Sequence, residues 1–292
     1  MTAQHILDAM RFDMELAGLS KATIQTYLHR VKAYQEFWEK PADQMGENDV
    51  REFLHHHLVN KSNMASTVNT YNTAIRFLYD VTLDKPLNHR KVPMAKRTRR
   101  LPDLPDKDDL RIIFANTYEF KYRAIFITIY GSGLRVSEAA NLRIRDIDSK
   151  NMRIFIRQGK GNKDRFALLP QRTLTVLREY YKVYKPKEWL FENANGGRIA
   201  AKSIQIAFKA TVESSGIHKH LTVHSLRHAF ATHLLNEGKN ILQIKKLLGH
   251  VRLDTTTWYL HLSDSETLHL TSPLDTAEAL LSDGEKPPIQ NV

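Results

Sequence analysis

The amino-acid sequence predicts a mainly α-helical protein with one small antiparallel β-sheet, divided into two domains. Three observations lead to this fold class. Apolar residues recur at helical spacing through residues 1–86 and again through most of residues 105–259. From Ile144 to Leu169 the apolar pattern alternates instead, as in a hairpin of two strands. A basic, proline-containing segment over residues 87–104 separates the two helical regions, and a length of 292 residues is compatible with two domains.

Four helices are expected in residues 1–86, each bounded by residue types that favour helix ends. Pro41 and Gly46 interrupt the helical pattern between the second helix and the third. In chain order we expect helices from about Ile6 to Gly18, from Lys21 to Trp38 after Ser20 as N-cap, from Asn48 or Asp49 to Leu58, and from Val68 to Tyr79 after Ser66 as N-cap.

The composition narrows the class of protein. A formal net charge of +11 indicates a polyanionic partner, for which nucleic acid is the leading candidate. An anionic membrane surface is the rival, but no long basic amphipathic helix supports it. The absence of cysteine excludes disulfides, thiolate nucleophiles and cysteine-ligated zinc. Without a membrane-spanning apolar run or the core of a signal peptide, we expect a cytoplasmic protein.

The segment over residues 87–104 is expected to be an extended linker. It is basic and poor in apolar residues, and Pro102 favours an extended backbone. A basic run is usually only a solvated tether, but between two domains that both bind nucleic acid it would be expected to follow the phosphate backbone. The arginines that would contact phosphates are Arg97, Arg99 and Arg100.

The richest stretch in chemical groups runs from Thr222 to Tyr259. His224 and Arg227 lie three residues apart, so both fall on one face near the start of a helix, where free N–H groups favour an anion. A second amphipathic helix is expected to end at Gly249, directly before His250.

These residue types suit attack on a phosphodiester. Such a reaction needs a nucleophile, cationic donors for the phosphate oxygens and an acid for the leaving oxygen. Tyr259 offers a phenol as nucleophile, Arg227 offers a guanidinium fork, and His224 and His250 can donate or shuttle protons. Taken singly, each of these residues is more often structural than catalytic, so the hypothesis depends on the whole set.

The set resembles the catalytic motifs of the tyrosine recombinases, or phage integrase family, and is most like the Xer type. His224–Arg227 matches the pattern H-x-x-R, Leu248–His250 matches L-G-H, and Tyr259 follows nine residues later. Earlier in the chain, Gly133–Arg135 with Glu138 three residues on resembles the family's first arginine motif. Gly159–Lys163, whose spacing rules out a phosphate-binding P-loop, resembles its hairpin-lysine motif.

The resemblance implies a fold for each region. Residues 1–86 would be a four-helix, SAM-like core-binding domain, and residues 105–270 the catalytic domain. Residues 271–292 would be a tail that docks on a neighbouring protomer, unless it packs on its own domain. The resemblance also implies that Tyr122–Tyr130, for which β propensity alone favours a strand, is a buried helix.

The resemblance also implies a role for each site residue. Tyr259 would attack the scissile phosphate, and Arg135, Arg227 and His250 would hold the developing charge. His224 would accept the tyrosine proton, Lys160 would protonate the leaving 5′ oxygen, Lys163 would contact the backbone, and Glu138 would position Arg135 or His224. No metal or nucleotide cofactor is needed. His224 and His228 have a metal-like spacing, but no third ligand accompanies them.

The implied partners are double-stranded DNA carrying a recombination site and further recombinase copies, either a homotetramer on two duplexes or a paired recombinase. Two alternatives stay open: a type IB topoisomerase-like enzyme and a catalytically silent DNA-binding accessory protein. The first domain offers polar side chains as DNA contacts; they are Lys21, Thr23, Gln25, Lys61, Ser62, Asn63, Ser66, Thr67, Asn69 and Asn72.

Overall fold

The computed structural model describes residues 2–96, 102–157 and 164–249. The chain divides into two compact units, Met1–Arg100 and Leu101–Val292. No helix within the described residues is long and apolar enough to cross a membrane. Several predicted residues and one segment lie outside the described ranges; they are Arg97, Arg99, Arg100, Lys160, Lys163, His250, Tyr259 and the tail over 271–292.

The described part of the first unit contains four α-helices around one apolar core. They are α1 (Ala3–Leu16), α2 (Lys21–Trp38), α3 (Glu47–His55) and α4 (Ala65–Phe77). Single π-helical segments, His56–Asn60 and Leu78–Thr82, follow α3 and α4. The core is completed by a buried pair of phenols, since the hydroxyls of Tyr34 and Tyr79 lie 3.2 Å apart.

The helix starts in this unit are partly those that the sequence predicts. Ser20 caps α2 by accepting a hydrogen bond from the Thr23 amide at 3.2 Å, which confirms the prediction. The prediction for α4 was wrong, because the helix begins after Met64 and Ser66 lies within its first turn. The third helix begins at Glu47, where the Asp49 carboxylate accepts from the amide of Gly46 at 2.8 Å.

Residues 87–96, the beginning of the expected linker, pack on the first unit. Leu87 and Val92 are buried in its core. The side chain of Asn69 forms two hydrogen bonds with the backbone of Ala95, at 2.9 and 2.7 Å. Asn72 donates to the Pro93 carbonyl at 3.0 Å.

These bonds correct two of the DNA-contact predictions. Asn69 and Asn72 are 5% and 1% exposed, and their amides bind backbone. Their side-chain amides bind the backbone of the packed segment after Leu87, whose donors and acceptors would otherwise be unpaired. Arg76 reinforces the same attachment by donating to Asn72 at 2.9 Å and to the Val92 carbonyl.

Among the described residues of the second unit, seven α-helices surround a short antiparallel sheet, and a 3-10 helix, Ile144–Asp146, precedes its first strand. The helices are α5 (Lys107–Ala115), α6 (Phe120–Ser132), α7 (Val136–Ala140), α8 (Gln171–Tyr184), α9 (Ala201–Ser214), α10 (Val223–Asn236) and α11 (Ile241–Leu248). The strands are β1 (Ile147–Asp148), β2 (Arg153–Ile156) and β3 (Arg165–Leu168), in the order β1-β2-β3.

Helix α6 confirms the interpretation of Tyr122–Tyr130 as helix rather than strand. Ala124, Ile125, Phe126 and Ile129 are completely buried. Helices α8, α9 and α10 all pack against α6. A helix that is enclosed on most sides has no polar face to reveal its period, so tertiary packing outweighs local β propensity here.

The alternating pattern of the sheet is also confirmed. Ile154, Ile156 and Ala167 face the core, whereas Phe166 is 48% exposed. The register pairs Ile154 with Ala167 and Ile156 with Arg165, so Arg165 is the first residue of β3. The short strand β1 lies within the stretch predicted to alternate, and it pairs with β2 through Ile147 and Asp148.

Candidate active site

The G-x-R motif lies in the turn between α6 and α7. Gly133 ends α6 with φ of 62°, in the left-handed region that favours glycine. A Cβ at Gly133 would lie 2.5 Å from the ring of Phe230 on α10. Glycine is therefore required both by the backbone conformation and by the close approach of α10, and Arg135 follows as the N-cap of α7.

Glu138 is the central carboxylate of this site. It is buried, and it accepts from the Arg135 amide at 2.8 Å and from Arg135 Nη1 at 2.7 Å. Arg165 donates Nη1 and Nη2 to the two carboxylate oxygens at 3.1 and 2.9 Å, which is a bidentate pair. Nη1 of Arg227 lies 3.6 Å from Oε2 of the same carboxylate.

The electrostatics of this cluster favour a bound anion. Burial alone would raise the pKa of Glu138, but the charge and hydrogen bonds of Arg165, the amide of Arg135 and the charge of Arg227 hold it below its ordinary value. Glu138 is therefore ionised near neutral pH. Three guanidinium groups share this one carboxylate, so the cluster keeps a net positive charge among the described residues.

Helix α10 supplies the second arginine. Its N-terminus is capped by Thr222 and Ser225, since the Thr222 amide donates to Ser225 Oγ at 3.1 Å. Arg227 is only 1% exposed, and it donates to the carbonyls of Gly133 and Leu248, each at 2.6 Å. Its guanidinium therefore connects the G-x-R turn to the end of α11 through these two hydrogen bonds.

His224 lies one turn before Arg227 and its side chain is accessible. Desolvation lowers the pKa of His224, Arg227 and Arg135 lower it further, and Glu138 acts in the opposite direction. The ring is consequently neutral near pH 7 and able to accept a proton. Its ring centroid lies 4.4 Å from that of His228, whose pKa is lowered to about 4 by burial, by His224 and by Arg227.

Helix α11 ends at Leu248, which is the first residue of the L-G-H motif. Its apolar side, Ile244 and Leu248, packs with Phe230 and Leu235 of α10. Gly249 has φ of 63°, and a Cβ there would lie 2.6 Å from Cδ of Arg165. The glycine of this motif therefore leaves room for an arginine side chain, as Gly133 leaves room for Phe230.

The structure brings together four of the predicted site residues: Arg135, Glu138, His224 and Arg227. Lys160, His250 and Tyr259 lie outside the described ranges. In the first unit, Lys21 and Lys61 are exposed, whereas Thr23 and Thr67 are half-buried. Within the described ranges, no group of three or more histidine, aspartate or glutamate side chains is arranged to hold a metal ion.

Comparison with known proteins identifies the family. The model of the phage integrase family matches residues 105–266, and that of its N-terminal SAM-like domain matches residues 6–89. The chain belongs to the phage integrase family. This family, the tyrosine recombinases, is a class of enzymes that cleave and rejoin DNA strands, which confirms the resemblance carried by the motifs.

Curated recombinases resemble the chain over most of its length. The putative integrase/recombinase y4qK of Sinorhizobium fredii is 35% identical, over 91% of this chain and 87% of the relative. Tyrosine recombinase XerA of Pyrococcus horikoshii is 29% identical, over 94% of each chain.

Solved recombinase structures share the fold. A crystal structure of XerA recombinase aligns with a TM-score of 0.52 at 26% identity, over 90% of this chain and 95% of that one. A lambda integrase dimer bound to a COC′ core site aligns with a TM-score of 0.74 at 15% identity, over 93% and 98%.

One residue of this recombinase site was not predicted from the sequence. Arg165 contacts Glu138 and also donates Nε to the Leu247 carbonyl at 3.2 Å. Its partners lie 27 and 82 residues away in the chain, so no local spacing marks it. The sequence shows an arginine two residues after Lys163, at the start of a predicted strand. The alternating pattern of a strand does not say what such a residue contacts.

Proposed function

We propose that this chain is a site-specific DNA recombinase that breaks and rejoins strands through a phosphotyrosine at Tyr259. The observation that carries the proposal is the buried Glu138 carboxylate with three guanidinium groups around it. One carboxylate neutralises only one of these three charges, and the remaining positive charge favours an anionic ligand. The relatives named integrase/recombinase and tyrosine recombinase support DNA as that ligand.

In the first step the phenol oxygen of Tyr259 attacks the scissile phosphorus. A bond forms between that oxygen and phosphorus, and the bond from phosphorus to the 5′ oxygen breaks, leaving a 3′-phosphotyrosyl link. The tyrosine proton passes to His224, which its lowered pKa keeps neutral near pH 7. Lys160 donates a proton to the leaving 5′ oxygen, which departs as a hydroxyl.

Arg135, Arg227 and His250 stabilise the charge that develops on the phosphate oxygens. Arg135 is suited to contact the phosphate directly, because about a fifth of its side chain is exposed while Glu138 fixes one end of its guanidinium. Arg227 is fixed by two carbonyls, so its charge is oriented before DNA binds. Donors that are already oriented need little reorganisation in the transition state.

In the second step the 5′-hydroxyl of a partner duplex attacks the phosphotyrosyl link, and Tyr259 is released. The ester conserves the energy of the original phosphodiester, so the exchange needs neither a metal ion nor nucleotide hydrolysis. We propose that four copies, or copies of this chain with a paired recombinase, hold two duplexes and exchange one strand at a time through a Holliday junction.

Covalent capture on DNA tests this function. The full chain is incubated with duplexes that have a randomised core and a nick in one strand, so that a short cleaved fragment diffuses away and the adduct accumulates. We expect SDS-resistant adducts that enrich a defined core sequence, with protein on the 3′ phosphate. Binding without any adduct would contradict the proposal and indicate an accessory DNA-binding protein.

A further inference from the structure

We propose that Arg165 is a positioning residue of this site, which joins the base of the hairpin, the carboxylate of Glu138 and the end of α11. The inference rests on the proposed function and adds a residue to it. Arg165 does not contact the reacting atoms in this assignment; it holds the groups that do.

The first contact is the bidentate pair with Glu138. Both terminal nitrogens of Arg165 engage the carboxylate, and the side chains of Arg165 and Glu138 are only 11% and 5% exposed. The same carboxylate oxygens bind the amide and Nη1 of Arg135. Arg165 therefore fixes the orientation of the carboxylate that in turn orients Arg135.

The second contact is with the C-terminus of α11. Nε of Arg165 donates to the carbonyl of Leu247, and Arg227 donates to the next carbonyl, that of Leu248. Carbonyls at a helix C-terminus carry partial negative charge and lack helical partners, so cations bind there favourably. Two guanidinium groups thus hold the turn that leads directly to His250.

The side chain of Arg165 packs directly against the backbone of Gly249. The side chain of Arg165 occupies the space that a Cβ at Gly249 would need, with Cδ 2.6 Å and Nε 2.9 Å from it. The glycine of the L-G-H motif and Arg165 therefore form one packed unit. A side chain at position 249 would therefore displace either Arg165 or the turn itself.

The third connection is through the chain itself. Arg165 is the first residue of β3 and pairs with Ile156 of β2, while Lys160 lies five residues before it. The same residue that orients Glu138 therefore begins the strand that follows the proposed acid in the chain. One guanidinium therefore holds Glu138, which orients Arg135, and also holds the end of α11.

Cleavage kinetics of Arg165 variants test this role. The substrate is the nicked duplex recovered by covalent capture with the wild-type chain, in single turnover. We expect Arg165→Gln to lower the first-order cleavage rate about 10- to 100-fold, because misplaced groups lose transition-state stabilisation, while duplex affinity stays unchanged. Arg165→Lys keeps the charge but not the fork, so we expect it to recover part of the rate.

Arg153→Gln is the matched control. Arg153 lies on β2 of the same sheet, but its ion pair is with Asp148 at 2.8 Å and its side chain is 43% exposed. Its loss removes the same charge and side chain without touching Glu138 or α11. We expect a cleavage rate equal to that of the wild type.

Two further measurements separate positioning from stability. Glu138 is faced by Arg135, Arg165, Arg227 and His224, and loss of Arg165 removes the strongest factor that lowers its pKa. The acid limb of the cleavage rate should therefore move to higher pH in Arg165→Gln. In the Glu138→Gln background, the same substitution should cost less than it does alone, since the two residues act as one unit.

The outcomes are distinguishable. Cleavage by Arg165→Gln at the wild-type rate overturns the positioning role. So does a slower rate with an unmoved acid limb and full additivity with Glu138→Gln, which assigns Arg165 to stability alone. If Arg165→Gln does not fold, the test passes to Arg165→Lys, where a wild-type rate and pH profile overturn the role. Absence of any adduct from the wild-type chain overturns the proposed function and this inference with it.

Discussion

Glu138 shows how a single residue can hold a site together. A buried carboxylate is costly unless its charge is paired and its oxygens are bonded, and Glu138 has both Arg135 and Arg165 as partners. The i,i+3 spacing of Arg135 and Glu138 is also that of an ordinary surface pair on a helix. The sequence cannot distinguish the two, because the third partner comes from a distant strand.

Glu138→Gln should therefore destabilise the second unit strongly. We expect a loss of roughly 3 kcal/mol, because the substitution leaves buried guanidinium charge without its counter-ion. Thermal unfolding of the full chain measures it, as a lower midpoint for the second unit. Glu213→Gln is the control: Glu213 pairs with Lys209 on the exposed side of α9, and its loss should leave the midpoint unchanged. Equal midpoints for the two variants would contradict the buried network.

His228 gives the second unit a pH-dependent stability. Its pKa is lowered to about 4, first by burial and then by His224 and Arg227, so the folded chain binds this proton less tightly than the unfolded chain. The free energy of unfolding should therefore fall as pH decreases from about 6.5, the ordinary pKa of histidine, towards 4. Below pH 4, His228 should contribute no further change in the free energy of unfolding.

Urea unfolding between pH 7 and pH 4 measures this effect. His228→Gln should flatten the decrease without abolishing it, because His224 has a pKa lowered in the same direction. His218→Gln, at an exposed position, tests whether loss of any histidine has this result. A slope that is the same in His228→Gln and wild type would show that His228 is not the group responsible.

At the scale of elements, the end of α6 determines where the arginine motif lies. Gly133 has φ of 62° and no room for a Cβ beside Phe230. Gly133→Ala should lower stability by about 2–5 kcal/mol, from the left-handed backbone and the steric overlap together. Denaturant unfolding measures the change.

Gly196→Ala is the control for backbone conformation alone. Gly196 has φ of 74°, and a Cβ there meets nothing within 4 Å. We expect a loss of only about 1–2 kcal/mol. If both variants lose the same amount, the contact between the turn and Phe230 does not constrain the motif.

The attachment of residues 92–96 to α4 gives a prediction for the first unit. Asn69→Ala removes both hydrogen bonds to Ala95. We expect amide hydrogen exchange at Ala95 to become about 5- to 150-fold faster, the equivalent of 1–3 kcal/mol for buried polar groups. Thr70→Ala is the control, since Thr70 bonds only the Ser66 carbonyl within its own helix. Unchanged exchange in Asn69→Ala would contradict this attachment.

Particular elements show what the sequence could predict. Ser20 and Gly249 mark helix ends by local chemistry, and the alternation around Ile154 marks a strand, so these predictions are confirmed. Asn69 was wrongly predicted to face DNA. In the sequence, an asparagine on a helix that binds a phosphate cannot be told from one that binds the backbone of a neighbouring segment, here Ala95. Arg165 was missed for the same reason, since its role depends on residues far along the chain.

At the scale of the whole molecule, the net charge of +11 predicts DNA binding that weakens with salt. Neutralising Arg97, Arg99 and Arg100 together should reduce the slope of log affinity against log salt, by roughly 0.9 for each DNA phosphate that the variant no longer neutralises. Affinity should fall for all DNA sequences alike, as measured by titration of the captured duplex and of an unrelated one.

A charge-matched variant controls for net charge. Neutralising the exposed residues Lys182, Lys185 and Lys187 removes the same charge from the end of α8 and the residues after it. It should leave the salt slope closer to that of the wild type. An unchanged slope in the arginine variant would refute the role of the segment in following the DNA backbone.

The whole account depends on Tyr259 as the residue that becomes joined to DNA. Mass spectrometry of the digested covalent complex identifies that residue directly. We predict a nucleotide 3′ phosphate on the peptide that contains Tyr259, and no adduct with Tyr259→Phe, which should still bind the duplex. An adduct that persists in Tyr259→Phe, or that maps to another residue such as the exposed Tyr118, would contradict the account.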